Sequence, residues 1–149
     1  MRITSFTGKW AFLSNFYYNP SDPLPTLEHH YQAAKTFDPV QTEIILTANT
    51  PGLAKKYGRR VDVRSDWEEV KVEIMKDLLS RKFNHPSLNW MLQQTKDAIL
   101  IEGNLWHDNF WGDCHCPKCK NIEGENMLGK LLMEIRDDRN CKRQTTIVL

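Results

Sequence analysis

Twice between residues 38 and 51 a side chain able to cap a helix stands directly before a proline, at Asp38-Pro39 and Thr50-Pro51. The capping oxygen takes up a first-turn N–H that has no partner inside the helix, and proline at the first helical position gives up a donor that is unpaired there anyway. These pairs fix two helix starts, and their closeness leaves room only for a short helix between them. Gly58 suits the end of the second. Thr26 can cap an earlier helix running through Leu27 and Lys35 to about Phe37. Ser65-Asp66-Trp67-Glu68 reads as a capping box opening the longest helix, to about Phe83. There Trp67, Val70, Ile74 and Leu78 keep helical spacing, with Leu79 and Phe83 extending the apolar side. Asn84-His85-Pro86 restarts a shorter helix carrying Leu88, Met91 and Leu92. A last helix over Asn126 to Arg139 turns Leu128, Leu131, Leu132 and Ile135 to the core. Strand signals are few: Arg2 to Phe6, and a buried run at Ala98 to Ile101. Pro20 to Pro25 is a turn. The expected fold is α+β, predominantly helical. With no repeat, low-complexity segment or Gly/Ser linker, residues 1–149 read as a single domain.

Twenty basic against nineteen acidic residues leave a charge of +1, which argues against a surface built throughout to grip phosphate backbones. No apolar run approaches the ~20 residues that span a bilayer, and Met-Arg-Ile-Thr lacks the apolar centre of a signal peptide. The expected location is the cytoplasm, with no membrane partner. In that reducing compartment Cys114-His115-Cys116-Pro117-Lys118-Cys119 suggests metal before disulfide. Cys114, Cys116 and Cys119 can reach one tetrahedral zinc, with His107, His115 or Cys141 as fourth ligand; free thiols in a loop are the alternative.

Residues 103–125 carry no periodic apolar pattern, yet they are rich in Trp, His, Asp, Asn and Cys. So long a loop inside a domain is usually functional or disordered, and Trp106, Phe110 and Trp111 are costly to leave in water. This loop is expected to form one wall of a site. Aromatics interleaved with acids and amides over Trp106 to Asp113 suit stacking of a planar ring beside a sugar, or else a tight loop whose tryptophans plug the core. Gly112 would let the chain turn sharply beside Trp111. On the helix after Thr26, Glu28, Gln32 and Lys35 share a narrow polar stripe, with Leu27, Tyr31 and Ala34 apart from it. The stripe is either a solvated face or a carboxylate and lysine converging on a pocket, able to do acid–base or amine chemistry. No dinucleotide fingerprint, P-loop, HExxH or GxSxG motif is present.

Several blocks in order resemble the NADAR family of YbiA-like proteins. They are Phe12-Leu13-Ser14-Asn15-Phe16, Thr26 to Lys35, Thr50 to Lys55 with Gly58-Arg59, Asp66-Trp67, Lys82-Phe83, Phe110-Trp111-Gly112-Asp113, and Asn126 to Arg136. The resemblance covers about residues 10–138 and leaves 140–149 as a tail. It implies a YbiA-like fold and an N-glycosidase that hydrolyses the bond between a ribose anomeric carbon and nitrogen. The implied substrates are ADP-ribose on guanine bases of nucleic acid or, alternatively, phosphoribosylamino-pyrimidines of riboflavin synthesis. Glu28, Lys35 and Asp113 are the implied catalytic residues. Phe12, Asn15, Phe16, Tyr31, Gln32, Arg59, Trp67, Trp111, Gly112 and Asn126 are the implied substrate-binding set. No cofactor is implied for catalysis, and zinc would be structural. The cysteine cluster with Lys118 and Lys120 departs from the family pattern and bears on substrate more than on reaction. A zinc-knuckle module that binds nucleic acid without catalysis is the remaining alternative.

Overall fold

Both cap–proline pairs make the bonds their chemistry requires. In the computed structural model, which describes residues 1–19 and 25–147 and side chains up to residue 143, Asp38 Oδ1 accepts from the N–H groups of Val40 (2.8 Å) and Gln41 (3.1 Å). Thr50 Oγ1 accepts from Leu53 N–H at 3.1 Å. Of the expected turn over Pro20 to Pro25, residues 20–24 lie outside the described residues. The chain divides into two compact units, residues 15–82 and residues 1–14 together with 83 onward. The second unit is drawn from both ends of the chain, so the division follows no linker.

The continuous unit holds four helices: α1 (Leu27–Ala33), α2 (Pro39–Leu46), α3 (Pro51–Gly58) and α4 (Trp67–Lys82). Ala33, Ile45 and Ala54 form a core beneath Leu46, Ala48, Tyr57 and Val61. Helix α1 ends sooner than its sequence suggests. The N–H groups of Lys35 and Thr36 bond three residues back instead of four, which tightens the chain. Thr36 Oγ1 then accepts from Asp38 N–H and donates to Gln41, starting α2 at once. Thr26 does not cap α1; its hydroxyl bonds His29 Nδ1 at 2.8 Å. The buried positions of α4 are Trp67, Met75 and Leu79, whereas Val70, Ile74 and Leu78 are half-buried. The missing member of that every-fourth stripe is Lys71, whose stem is covered while its ammonium reaches Glu68 at 2.5 Å. Asp66 is held by a two-pronged bond from Arg64, at 2.6 and 2.8 Å.

In the other unit β1 (Arg2–Ile3) pairs in parallel with β2 (Ile99–Leu100), Arg2 opposite Ile99 and Ile3 opposite Leu100. A second parallel pair joins β3 (Gly103–Asn104) to β4 (Asp113–Cys114). Both strand expectations shrink to two residues, and Ile99 is exposed although Ala98 and Leu100 are buried. Helices α5 (Pro86–Gln93) and α6 (Met127–Ile147) complete the unit. Leu88 and Leu92 are buried, as are the four core residues expected of α6. Helix α6 runs beyond Arg139 into the supposed tail. Buried Arg136 bonds Thr95 Oγ1 (3.1 Å) and the Ala98 carbonyl (2.8 Å), and Arg139 bonds the Phe83 carbonyl (2.6 Å). Among the described residues no helix is long and apolar enough to cross a membrane.

Candidate active site

Six of the seven residues of α1 are buried, Glu28 and Gln32 among them, and Lys35 just past its end is half-buried, so the stripe is not a solvated face. Glu28 is 6% exposed and Gln32 3%. A carboxylate placed there needs donors, because burial strips it of water. Gln32 Nε2 donates to Glu28 Oε1 at 2.6 Å, one helical turn away. The Glu28 N–H is bonded to the Asn15 carbonyl at 3.0 Å, which ties the segment before α1 to the same spot. Asn15 Nδ2 contacts the Met75 sulfur, while Asn15 Oδ1 and Gln32 Oε1 are buried without a hydrogen-bond partner. Orphaned acceptors of this kind are rare in folded proteins and suit a ligand that brings hydroxyl donors.

The other end of the stripe is cationic. Lys35 Nζ lies 5.9 Å from the Tyr31 ring and 6.0 Å from the Trp67 ring, and those rings pack 5.1 Å apart between centroids. Its backbone carbonyl accepts from Arg64 N–H at 2.7 Å. Burial lowers the Lys35 pKa; Glu28 and Glu68 oppose that shift, while Lys55 and Arg59 reinforce it. Two cations, Lys55 and Arg59, thus disfavour the charged form of Lys35; Arg59 is in the implied binding set and Lys55 is not. Lys55 also sits 6.0 Å from the ring of Phe16, which is 44% exposed. Lys82, part of one resemblance block, stands outside the implied site set. At the end of α4, near the Tyr17 ring (5.7 Å), desolvation brings its pKa down to about 7.

Helix α3 ends at Gly58, as expected, and the glycine also serves this arrangement. A β-carbon there would fall 2.0 Å from Gln32 Oε1, so only glycine lets Gln32 lie between α3 and Glu28.

The remaining expected residues belong to the other unit. Phe12 is 2% exposed and packs between Trp10 and Phe83, a core position rather than a pocket wall. Trp106 is 58% exposed, so it does not plug the core, while Trp111 is half-buried edge-on to Phe110. Gly112 makes no left-handed turn; a β-carbon on it would strike the Glu102 carbonyl at 2.2 Å, so its role is close approach. Asn126, at φ 49°, clips this segment to the start of α6. Its Nδ2 donates to the Leu100 carbonyl, its Oδ1 accepts from Glu102 N–H, and its own N–H reaches the Gly112 carbonyl. Both ends of its side chain are thus committed to backbone. Asp113 Oδ1 accepts from Gly124 N–H at 2.9 Å, and Oδ2 lies 3.7 Å from His115 Nε2. Next to it, Cys114, Cys116, Cys119 and His107 hold their ligand atoms within 4.8 Å of one another, a set that could bind a metal ion.

The NADAR domain family model matches residues 5–139. The chain is 37% identical to N-glycosidase YbiA of Shigella flexneri serotype 5b, over 89% of this chain and 84% of that protein. It is 36% identical to the chloroplastic riboflavin biosynthesis protein PYRR of Zea mays, over 76% of this chain and 19% of that longer one. The NMR structure of the E. coli protein YbiA matches with a TM-score of 0.79 at 32% identity, covering 97% of this chain and 86% of the other. Sequence and fold together make the chain a member of the NADAR domain family, with the activity class of an N-glycosidase.

Proposed function

We propose that the chain removes ADP-ribose from guanine bases of nucleic acid by hydrolysing the bond between the ribose anomeric carbon and the base nitrogen. The observation that carries the reading is the buried Glu28, held by Gln32 at 2.6 Å, with a lysine whose pKa is lowered by burial just past the end of the same helix. As the glycosidic bond breaks, its electron pair leaves with the base nitrogen, which takes up a proton. Positive charge then builds on the anomeric carbon, where a carboxylate stabilises it. Water adds to that carbon and gives its proton to Glu28. In the covalent variant, neutral Lys35 attacks the anomeric carbon in place of water, and the C–N bond to the base breaks with its electron pair. The base nitrogen takes up the proton lost by the amine, the sugar ring opens to leave an imine, and water hydrolyses that imine to release lysine and sugar. Buried acceptors at Asn15 and Gln32 are matched to ribose hydroxyls. Lys55 and Arg59 are matched to the pyrophosphate, and exposed Phe16 beside Lys55 to a base. A location in the reducing cytoplasm is supported by the clustered thiols of Cys114, Cys116 and Cys119.

The name of the plant relatives favours a second reading, in which the substrate is a phosphoribosylamino-pyrimidine of riboflavin synthesis. Incubation with ADP-ribosylated DNA and, separately, with that intermediate, read by mass spectrometry, decides between them. Free ADP-ribose is the expected product. Cleavage of the pyrimidine alone would replace the first reading by the second. Turnover of neither, with binding that weakens steeply in salt, would leave a nucleic-acid-binding module.

A further inference from the structure

We propose that His107, Cys114, Cys116 and Cys119 form a closed, structural zinc site that fixes the loop around Asp113. Three cysteines are buried together in a cluster that, among the described residues, holds no other buried hydrophobic residue, which is a poor core unless an ion is its centre. All are free thiols. A tetrahedral zinc with Zn–S bonds of about 2.3 Å and a Zn–N bond of about 2.1 Å sets S···N edges of about 3.6 Å. His107 Nδ1 lies 3.2 Å from Cys116 Sγ and 3.5 Å from Cys119 Sγ, so the imidazole already stands near one vertex. The other two candidates for that vertex are placed elsewhere. His115 points to Asp113 with 58% of its side chain exposed, and Cys141 is an exposed residue of α6.

Two features around the ligands point the same way. His107 N–H donates to Cys114 Sγ at 3.3 Å, and Asn109 Nδ2 donates to Cys119 Sγ at 3.3 Å. Donors aimed at sulfur stabilise thiolates and orient them for a metal. The Asn109 Oδ1 accepts from Cys114 N–H at 3.0 Å, so one side chain braces two ligands. His107 also adopts φ 68°, a left-handed conformation that costs a non-glycine residue energy and survives only where its surroundings enforce it. That twist turns both its N–H and its ring toward the sulfurs.

Binding exchanges three thiol protons for one Zn²⁺, leaving three thiolates and a neutral imidazole around the ion with a net charge of −1. All four positions are filled by protein, so the ion is structural and takes no substrate. Its effect is to lock Cys114, and with it the neighbouring Asp113 and the β3–β4 pair, independently of which substrate the enzyme cleaves.

The test is zinc content of protein purified without a metal-binding tag, with cobalt substitution as the second measurement. The expected result is about one zinc per chain and a tetrahedral cobalt spectrum with thiolate-to-cobalt charge transfer. Asn109→Ala is expected to weaken zinc binding by roughly tenfold or more. His107→Ala lowers affinity, whereas His115→Ala and Cys141→Ser keep full zinc. Wild-type protein refolded with zinc that stays metal-free, or whose thiols react equally fast with and without zinc, overturns the site. Loss of zinc in His115→Ala with retention in His107→Ala overturns the ligand set.

Discussion

Replacing Gly58 by alanine probes how the scaffold sets the candidate carboxylate. The new methyl carbon would stand 2.0 Å from Gln32 Oε1 and 2.8 Å from Gln32 Cδ, so the amide must swing away. Moving it breaks the 2.6 Å bond to Glu28, and a hydrogen bond to a charged group contributes about 1.5–3 kcal/mol. Alanine in a helix returns about 0.5–1 kcal/mol of the entropy that glycine loses. The net cost is about 1.5 kcal/mol, a fall of roughly 3–6 °C in Tm for a chain of this size. The decisive measurement is a double-mutant cycle by urea unfolding. In a Gln32→Ala background only the 3.0 Å approach to Gln32 Cβ remains, so the same glycine substitution is expected to be nearly neutral there. A coupling of about 1–2 kcal/mol between the two positions is the signature of direct contact. Equal costs in both backgrounds would show that Gly58 serves the helix end, and that its packing against Gln32 is irrelevant to Glu28.

Glu28→Gln keeps the shape of the side chain and is expected to lower turnover by about 100-fold or more with the fold intact by circular dichroism; unchanged turnover removes Glu28 from the chemistry. Borohydride added during cleavage of an ADP-ribosylated substrate is expected to leave a sugar adduct on Lys35, found by peptide mapping. No adduct, with turnover intact in its absence, would leave the chemistry to Glu28 and water. Lys82 has a folded pKa of about 7 against 10.5 for a free lysine, so between those values the unfolded chain binds more protons and stability rises with pH. Unfolding free energies from pH 7 to 10 should show that rise in the wild type and lose it in Lys82→Met; parallel curves would refute the desolvation.

What could be read in advance was local. Asp38 and Thr50 announce their helices because cap and partner lie within three residues, and the chain needs no tertiary help to make those bonds. The apolar face of α4 was misread because Lys71 occupies one of its covered positions, and a charged residue breaks a hydrophobic pattern even when its stem is buried. The Glu28 stripe could be read as a solvated face or as part of a pocket, because polarity on one face says nothing about what packs over it. Glycine at 58 was assigned to a helix end, where it stands, and glycine at 112 to a sharp turn; spacing could not show that each makes room for one remote group, Gln32 or Glu102. Three of the clustered metal-ligating residues were visible from their spacing; the choice of His107 depended on a backbone twist that no spacing reveals.

The pairing of Arg2 with Ile99 sets a timetable for synthesis. The first strand leaves the ribosome with its partner still almost a hundred residues away, and at about 5–20 residues per second it waits on the order of 5–20 s. Meanwhile residues 15–82 are complete and can collapse on their own contacts, so the segment carrying Glu28 and Lys35 matures first. Met1 and Ile3 keep carbonyls unclaimed until the N–H groups of Ile99 and Ile101 arrive, at 3.0 and 2.8 Å in the finished molecule. A nascent chain stalled before residue 99 would thus display a protease-resistant middle and a protease-sensitive beginning.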